Sequence, residues 1–483
     1  MAQINLELEK SIIADKKKGL SDKDIGAKFG VTLRAIEKII TKEFGINISS
    51  PAALASVTGN RQKTVPAANR IKTLAPKDFE MEKTTVWSFK SRGTWATHNG
   101  NYRGNWSPYI PRNVILRYSK DKDLVLDYFC GAGTTGVECK LLSRNFTGID
   151  INPHAIGLAN ENINFEFHAS TTGTNVDFMV GDARTLDNIG NNSIDLICAH
   201  PPYADIVQYT HNNEGDLSNC TAEKFLIEIG KTARESYRVL KSHGCCAILI
   251  GDMRKNKNVI PLGFRTIERF LNEGFELKDL VIKRQHNCKT TGFWYTNSIK
   301  YNFLLLAHEY LAIFKKKEAG HAPTENADQP ILTIDKIMDE TIPMESTTVW
   351  IFNEKNWMAQ TLYNLIKRYS STDKYALFNN NESSALNKNL AIDLTGNNIK
   401  KSLVFAKNAL SSGGIFAIMC EDIRREDGFI IPTAIHIERL LRAEKGFHIK
   451  EIVVVSIENA NRTNNKEDLD ITHKYILIYK KAD

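Results

Sequence analysis

Short apolar stretches alternate with segments of helical spacing over most of the region between Thr84 and Lys317. Seven of these stretches are rich in Val, Ile, Leu and Phe, which is typical of β-strands: LVLDYF (124–129), FTGIDI (146–151), VDFMVGD (176–182), IDLICA (194–199), CCAILIGD (245–252), KDLVIKR (278–284) and NFLLLAHEYLAIFKK (302–316). Nearly continuous apolar strands are buried on both faces, as in a parallel sheet covered by helices on both sides. The pattern therefore predicts an α/β fold with a doubly wound, mainly parallel sheet.

The first 46 residues have a different pattern, in which apolar positions recur at helical spacing in three short stretches. The second stretch opens with Ser21 and has Asp24 three positions later, an arrangement that caps the start of a helix. The third stretch follows a tight turn at Gly30. Three helices joined in this way predict a helix-turn-helix whose third helix presents Arg34 and Lys38 to DNA. A small helical bundle that makes protein contacts is the alternative.

The C-terminal region repeats parts of the region before it. Three pairs of segments carry the match: TTVWIF (347–352) with TTVWSF (84–89), GGIFAIMCEDIRREDGFIIP (413–432) with HGCCAILIGDMRKNKNVIP (243–261), and THKYILIYKK (472–481) with AHEYLAIFKK (307–316). The second copy is shorter, and it lacks the part of the first copy that carries the candidate chemistry described below. We therefore expect a truncated α/β duplicate that is not catalytic.

Polar segments separate these regions, and a chain of 483 residues is long enough for several domains with cores of their own. Five consecutive parts are predicted: a helix-turn-helix at 1–46, a linker at 47–80, a catalytic domain at 81–317, a second linker at 318–343 and the degenerate repeat at 344–483.

Composition narrows the class of protein. Hydrophobic residues make up 42% of the chain and charged residues 25%, as in an ordinary globular protein. No apolar run reaches membrane-spanning length, so no membrane partner is expected. The eight cysteines form no Cys-x-x-Cys pair, which predicts reduced thiols in an intracellular protein and no metal site.

The net charge of +7 is modest, but basic residues are concentrated in two segments. Residues 81–120 contain seven Lys/Arg, one acid and several interleaved aromatic rings, and residues 253–300 contain ten Lys/Arg and four acids. Basic segments of this kind on a nearly balanced chain indicate a face for a polyanion. Within the second segment, Arg284, Lys289 and Trp294 are the candidate DNA contacts.

Glycines and acids follow the first three predicted strands. The first strand ends in Asp127-Tyr-Phe129 and leads into Gly131-Ala-Gly133, where a glycine backbone can approach a ligand closely. Asp150 follows the second strand and can bind ribose hydroxyls, and Asp182 follows the third strand, close to where an adenine would lie. Because the glycines of this turn also fit G-x-G-x-x-G, a dinucleotide enzyme is an alternative at this point.

The fourth strand leads into His200-Pro-Pro-Tyr203, a stiff turn that lacks two backbone N–H donors. A nicotinamide enzyme has no use for such a loop, whereas an enzyme that modifies a flipped base holds it on an aromatic ring, which Tyr203 supplies. The Pro201 carbonyl oxygen and a ring nitrogen of His200 can accept hydrogen bonds from an exocyclic amino group. These bonds would direct the nitrogen lone pair toward a methyl group, and the proton can leave after the transfer.

With these motifs the chain resembles the S-adenosylmethionine-dependent DNA amino-methyltransferases, which act on N4 of cytosine or N6 of adenine. The resemblance covers about residues 84–317, and the order of the motifs, with the cofactor loop before the catalytic loop, resembles the gamma arrangement of that family. It implies a Rossmann-like methyltransferase sheet and S-adenosylmethionine as the cofactor. The residues implied to bind the cofactor are Asp127, Phe129, Gly131, Gly133, Asp150 and Asp182, and those implied to be catalytic are His200, Pro201, Pro202 and Tyr203.

Two positions depart from the pattern of the family. His200 stands where Asp, Asn or Ser is usual, so the sequence does not indicate whether the target is cytosine or adenine. Residues 105–115 occupy the place of a Pro-containing motif that touches the methionine end of the cofactor. The usual lysine is absent there, and Pro108 and Arg112 are the candidates for that contact.

The resemblance implies base flipping and methylation of a specific duplex DNA sequence, in a prokaryotic or phage-encoded restriction-modification setting. The motif-bearing segments contain no nuclease pattern, so a restriction endonuclease partner would be a separate protein. An RNA base methyltransferase and a non-catalytic DNA-binding protein with this fold are the alternatives. The sequence leaves open whether the chain is a monomer or a homodimer.

Overall fold

The structure of the chain is a computed structural model, and it describes most of the sequence. The described residues are 6–17, 20, 22–32, 35–36, 39, 68–69, 71–77, 79–166, 173–210, 213–286, 291–316, 344–370, 374–378, 386–458 and 468–482. Within these ranges, no helix is both long enough and apolar enough to cross a membrane.

Two helices at the N-terminus, α1 (Leu6–Lys17) and α2 (Asp22–Phe29), pack through their apolar faces. Their buried cluster consists of isoleucines and also takes in two residues of the predicted third helix: Ile12, Ile13, Ile25, Ile36 and Ile39. Arg34 and Lys38 lie outside the described residues. The helix-turn-helix and its DNA contacts therefore stay predictions.

The larger sheet has eight strands, and the strands in its middle are almost entirely buried. The eight strands in chain order are β1 (Val86–Ser88), β2 (Leu124–Asp127), β3 (Asn145–Asp150), β4 (Val176–Val180), β5 (Ile194–Ala199), β6 (Leu240–Gly251), β9 (Phe275–Arg284) and β10 (His308–Lys316). Two further strands, β7 (Met253–Lys255) and β8 (Asn258–Ile260), form a separate hairpin. The order across the sheet is β1-β9-β10-β6-β5-β2-β3-β4. Strands β2, β3 and β4 pair in parallel, and β10 runs antiparallel to both of its neighbours. The predicted α/β fold with a mainly parallel sheet is confirmed.

Six helices accompany these strands: α3 (Tyr109–Tyr118), α4 (Thr134–Leu141), α5 (Pro153–Ile163), α6 (Ala222–Val239), α7 (Leu262–Asn272) and α8 (Thr291–Lys300). The start of α5 shows how the sequence sets such a boundary. The Asn152 side chain accepts a hydrogen bond from the backbone N–H of His154, and Pro153 occupies the first helical position. This cap fixes the chain directly after β3, where Asp150 lies.

The C-terminal region forms a second sheet of six strands. Its strands are β11 (Val349–Asn353), β12 (Tyr375–Phe378), β13 (Lys388–Asp393), β14 (Leu410–Cys420), β17 (Phe447–Glu458) and β18 (His473–Lys481). A separate hairpin consists of β15 (Ile423–Arg424) and β16 (Ile430–Ile431). The helices of this region are α9 (Trp357–Tyr369), α10 (Ile399–Ala409) and α11 (Thr433–Ala443). Its order, β11-β17-β18-β14-β13-β12, repeats the order β1-β9-β10-β6-β5-β2 of the first sheet. In both sheets the first pair is parallel and the third strand runs antiparallel to both neighbours. The C-terminal region is thus a shortened copy of the same fold.

Packing divides the chain into two compact units that differ from the predicted domains. The first consists of Met1–Asp78, Gly93–Asp187 and Cys198–Thr221, and the second of Phe79–Arg92, Asn188–Ile197 and Ala222–Asp483. The second unit contains the C-terminal copy together with β1, β6, β9 and β10 of the first copy. Residues 317 and 344 are predicted boundaries in the sequence, but parts of both copies on either side of them belong to the same compact unit.

Within the second unit, each copy contacts the other through equivalent residues. Thr85 Oγ1 lies 2.8 Å from Nδ1 of His473, and Thr348 Oγ1 lies 2.9 Å from Nδ1 of His308. Two buried ion pairs also connect the copies at equivalent positions. Arg254 of the first copy pairs with Glu451 of the second at 2.5 Å, and Arg424 of the second copy pairs with Asp279 of the first at 2.6 Å. Exchanges of this kind are typical of the interface of a two-fold symmetric dimer, here formed within one chain.

The structure differs from the predicted elements in two places. The apolar run 302–316 was expected to be one strand, but β10 begins only at His308. Leu304 instead packs into the buried core of the C-terminal copy, so this part of the run makes a contact between copies. Helix α8, which begins at Thr291, lies in a segment between two predicted strands for which no helix was predicted.

Candidate active site

Asp127 ends β2 and fixes the turn that follows it. One carboxylate oxygen accepts a hydrogen bond from the backbone N–H of Phe129 at 3.0 Å, and the other accepts one from the Thr135 hydroxyl at 2.6 Å. The side chain is buried, and burial raises the pKa of its carboxyl group to about 7. Asp127 therefore acts on the loop between β2 and α4, and it also lines the cavity beside that loop.

The two glycines of this loop have left-handed backbone conformations, with φ of +50° at Gly131 and +81° at Gly133. A Cβ atom at Gly133 would lie 3.0 Å from Cβ of Ala159, and one at Gly131 would lie 3.1 Å from the Tyr102 ring. Gly131 lines the cavity, whereas Gly133 forms the N-cap of α4 and packs inward. A side chain at Gly131 would crowd the Tyr102 ring beside the cavity, and a side chain at Gly133 would crowd Ala159 in the packed interior.

Asp150 links the glycine loop to the end of β3. Its Oδ2 accepts a hydrogen bond from the Gly131 N–H at 2.9 Å, and its Oδ1 accepts one from the Asn152 N–H at 2.9 Å. Burial raises the pKa of this carboxyl group to about 6, against these two hydrogen bonds, which lower it. Each carboxylate oxygen has a second lone pair, so Asp150 can still accept the hydroxyl groups of a ribose.

Asp182 lies beyond β4 and also lines the cavity. Its carboxylate accepts hydrogen bonds from the backbone N–H and the guanidinium of Arg184, the shortest at 2.7 Å. The ion pair holds the acid in one orientation at the cavity wall. The predicted cofactor residues Asp127, Phe129, Gly131, Asp150 and Asp182 thus meet at one cavity.

Several residues of this cavity were missed by the sequence analysis. They are Tyr102, Asn105 and Trp106 on one side and Tyr209 and Asp216 on the other. The Tyr102 and Tyr209 rings are stacked with centroids 6.0 Å apart. Asp216 folds the second segment on itself, because it accepts hydrogen bonds from Thr210 and Ser218. The signals in the sequence were the aromatic density of residues 81–120 and the motif segment 105–115, and neither reaches Tyr209 or Asp216.

The charge of the cavity distinguishes between cofactors. Four acids line it, Asp127, Asp150, Asp182 and Asp216, and none of its described lining residues is Lys or Arg. A pyrophosphate group would meet repulsion here, whereas a sulfonium and an ammonium group would be attracted. The donor and acceptor groups therefore fit S-adenosylmethionine and oppose a dinucleotide, which answers the alternative raised by the glycine pattern.

The His200-Pro-Pro-Tyr203 turn follows β5 and brings His200 and Pro202 to the same cavity. The His200 ring is stacked on Trp106, with centroids 5.5 Å apart and planes 17° from parallel. Its Nε2 lies 2.8 Å from the Tyr203 hydroxyl, and the two rings meet edge to face. Pro201 is buried, and neither it nor Tyr203 lines the cavity.

The structure does not bring Pro108 and Arg112 to the cavity lining. Pro108 is the N-cap of α3. The Arg112 guanidinium pairs with the fully buried Glu138 at 2.8 Å, and Glu138 also contacts the ring nitrogens of Trp95 and His98 at 2.7 Å each. Arg112 therefore neutralises a buried acid, and the cofactor contact predicted for it has no support in its position.

The candidate DNA contacts are only partly described. Lys289 lies outside the described residues, as do Arg34 and Lys38. Arg284 ends β9, and burial lowers the pKa of its guanidinium group. Trp294 lies on α8 with 46% of its surface exposed. An exposed tryptophan in a basic segment is consistent with a contact to a nucleic acid, and this role stays a prediction.

Comparison with known proteins supports the class that the fold and site indicate. A family model described as DNA methylase matches residues 48–161, and one described as methyltransferase domain matches residues 119–291. Both models include the β2 strand and the glycine loop. The resemblance to the S-adenosylmethionine-dependent DNA amino-methyltransferases is thereby confirmed, and the first match begins within the predicted linker at 47–80.

Curated relatives match over short stretches. The Type II methyltransferase M.HpaI of Haemophilus parainfluenzae is 46% identical over 86 residues, which are 18% of this chain and 27% of the relative. M1.MboII of Moraxella bovis is 45% identical over 80 residues, 16% of this chain and 31% of the relative. M.BglI of Bacillus subtilis is 36% identical over 88 residues, 17% of this chain and 25% of the relative. The chain thus spans less than a third of the length of each of these relatives.

Solved structures resemble the chain only loosely. A SAM-dependent methyltransferase of Methanosarcina mazei is 17% identical, covers 42% of this chain and 97% of its own, and has a TM-score of 0.31. A candidate DNA modification methylase of Thermus thermophilus is 25% identical, covers 30% of this chain and 54% of its own, and has a TM-score of 0.22. At these TM-scores the fold class follows from the strand order of the chain itself.

Proposed function

We propose that the chain is a DNA methyltransferase that transfers a methyl group from S-adenosylmethionine to an exocyclic amino nitrogen in a specific duplex DNA sequence. The observation that carries this proposal is the meeting of two motifs at one cavity. His200 and Pro202 of the Pro-Pro-Tyr turn line it together with Gly131 and Asp150 of the cofactor loops. The matches to a DNA methylase family model and to Type II methyltransferases agree with it.

The groups of this chain would position the target amino group and accept its hydrogens. Bound S-adenosylmethionine supplies an electrophilic methyl group. A ring nitrogen of His200 and the Pro201 carbonyl would accept the two amino hydrogens and direct the lone pair of the nitrogen at the methyl carbon. Once the nitrogen carries the methyl group, it would release one of the two hydrogens held by His200 and Pro201 to water as a proton.

The target base has to compete for groups that already have partners. Nε2 of His200 is bonded to the Tyr203 hydroxyl, and the His200 ring is stacked on Trp106. A flipped base that stacks on Tyr203 would take the place of some of these contacts. The exchange of one set of hydrogen bonds for another keeps the cost of base entry low.

The setting of the reaction belongs to the same proposal. The relatives are Type II methyltransferases, so a restriction-modification system with a separate endonuclease is the expected context. The target base, cytosine or adenine, is the open part, because His200 replaces the residue that usually indicates it.

Nucleoside mass spectrometry on DNA from unmethylated host cells that express the protein tests this function. New N4-methylcytosine or N6-methyladenine is expected with the wild type and not with the Tyr203→Ala variant. Methylated nucleosides that appear in RNA alone would replace DNA by RNA as the substrate. Soluble protein that binds S-adenosylmethionine but produces no methylated nucleoside in either nucleic acid would contradict the catalytic role.

A further inference from the structure

A polar cleft in the second unit, with a volume of about 530 Å³, lies apart from the motifs discussed so far. It is bounded by the tip of the β7–β8 hairpin, the end of α9 and the edge of the second sheet where β14 and β17 begin. Its basic lining residues are Lys257, Arg368, His448, Lys450 and Lys480, and none of its described lining residues is an acid. Four permanent cations and no carboxylate thus share one cleft.

The internal repeat supplies a comparison for this cleft. The segment GFELKD (274–279) of the first copy corresponds to GFHIKE (446–451) of the second. Both segments contain a β-bulge at the lysine, and a bulge redirects the side chain of its extra residue. Lys278 and Lys450 are therefore equivalent residues in the two copies.

The two lysines have different surroundings. Lys278 pairs with Asp468 at 2.5 Å, and the neighbouring Glu276 pairs with Arg425 at 3.3 Å. Lys450 has no carboxylate within ion-pair distance among the described residues, and His448 stands in the place of Glu276. The lysine at this position is therefore paired with a carboxylate in the first copy and has no such ion pair in the second.

The hairpins that face the two lysines differ in the same direction. The tip of the β15–β16 hairpin reads REDG (425–428) and carries two acids, whereas the tip of the β7–β8 hairpin reads KNKN (255–258) and carries two lysines. Lys257 lies 4.0 Å from the centre of the Tyr301 ring. The charge of this face is therefore set by substitutions in both elements, not by a single residue.

The cations of the cleft lie close enough to act on one another. Burial lowers the pKa of the Lys450 ammonium group; the charge of the adjacent Glu451 raises it, and the charges of Arg254, Lys480 and Arg368 lower it. A bound anion would relieve this repulsion. Besides the cations, the cleft offers the side-chain amides of Asn256 and Asn389, groups that commonly bind phosphate oxygens in complexes with DNA.

We propose that this cleft binds backbone phosphates of duplex DNA, as a site separate from the methylation cavity. The identification of the polyanion as DNA rests on the proposed function. The cleft holds duplex DNA by charge and hydrogen bonds to phosphate, without reading bases. Its contribution is to affinity, and it leaves the methylated sequence unchanged.

Fluorescence anisotropy with a labelled duplex of arbitrary sequence, measured from 50 to 300 mM KCl, tests the site. The variant is Lys450→Gln/Lys480→Gln, and its matched control is Lys400→Gln/Lys401→Gln, which removes two exposed lysines of α10 outside the cleft. Two lost phosphate contacts reduce the slope of log K against log salt by about 1.8 and weaken binding roughly tenfold or more near 0.1 M salt. The control is expected to change both quantities much less.

The outcomes separate this site from the proposed function. S-adenosylmethionine binding and the thermal unfolding midpoint, measured on the same two variants, are expected to match the wild type. Equal DNA affinity and equal salt slope in the two variants would overturn the cleft as a phosphate site, whether or not the protein methylates DNA. Tighter binding of structured RNA than of duplex DNA, with the same loss in the cleft variant, would overturn the assignment to DNA.

Discussion

The two copies of the fold share one edge of the sheet and differ at the other. In the first copy the sheet continues through β2, β3 and β4, and acids at the ends of these strands line the cavity. In the second copy the described sheet ends at β12, one strand beyond β13. The loop after β13 begins Leu394-Thr395-Gly396, whereas the loop after β5 is the Pro-Pro-Tyr turn.

The shared edge is the one that makes the contacts between the copies. The residues that exchange partners, such as Thr85 with His473 and Thr348 with His308, lie next to or within strands present in both sheets. The second copy therefore keeps the strands that make the contacts between the copies, and its described sheet has no counterparts of β3 and β4, the strands that lead to Asp150 and Asp182 in the first copy. The C-terminal copy thus packs against equivalent residues of the first copy, and it contributes most of the lining of the proposed basic cleft.

The largest expected effect concerns the loop that only the first copy possesses among the described residues. Replacement of His200 and Tyr203 by alanine together should lower kcat by at least about 1000-fold, because the amino group loses an acceptor and the base loses its stacking surface. Affinity for S-adenosylmethionine, measured by calorimetry, should stay within about threefold. Tyr203→Phe keeps the ring and should retain most activity, and an inactive Tyr203→Phe would move the essential role to the hydroxyl group.

The next effect tests the symmetry of the contact between the copies. Glu451→Leu leaves Arg254 without its carboxylate partner and should lower the free energy of unfolding by about 3–5 kcal/mol. Asp279→Leu leaves Arg424 with only the more distant carboxylate of Asp468, at 3.7 Å, and should cost somewhat less than Glu451→Leu. Urea denaturation followed by circular dichroism measures both. Arg234→Leu removes an exposed pair with Glu273 and should cost at most about 1 kcal/mol. A large loss in only one of the two buried variants would show that the contact is not symmetric in energy.

A smaller expected effect is a change in the affinity for S-adenosylmethionine with pH. It depends on Asp150 at the end of β3, a strand with no counterpart in the described part of the second sheet. Its carboxyl group has a pKa of about 6 and must be ionised to bind ribose hydroxyls as a charged acceptor. Affinity for S-adenosylmethionine should therefore be full above pH 7 and fall as the pH drops through 6, by up to about tenfold per unit below that value. Calorimetric titrations between pH 5 and 8 measure it. Asp150→Asn should bind weakly at every pH, and a variant with the same pH profile as wild type would assign the titration to another group.

The smallest effect is expected in the second copy. Thr395→Ala alters the loop after β13, where the Thr395 hydroxyl donates to Asp393 at 3.0 Å. Because we expect no catalytic site there, methyl transfer should stay within about twofold of wild type in a steady-state assay. A strong loss of kcat without a loss of stability would mean that the second copy takes part in the reaction.

Part of the site could be predicted because its motifs are local in sequence. Gly131, Asp150 and Asp182 each follow a predicted strand, and parallel strands bring their carboxyl ends to one edge. Tyr102 and Asp216 carry no motif, since they reach the cavity only through the folding of loops over it, and Trp106 was not singled out although it lies within the motif segment 105–115. Arg112 was assigned to the cofactor by its motif position, but the buried charge of Glu138 determines where its guanidinium lies.

From the sequence alone, the alternation of strands and helices, the cofactor and catalytic motifs and the shortened repeat could be predicted. These follow from hydrophobic periodicity and from short segments whose chemistry acts within a few residues. Only the tertiary structure decided that the copies exchange buried pairs, and that Lys278 is neutralised whereas Lys450 is not. Ion pairs depend on which charged side chains lie close together in the folded chain, whatever their separation along the sequence. Asp468 lies 190 positions from Lys278, and no local pattern in the sequence connects them.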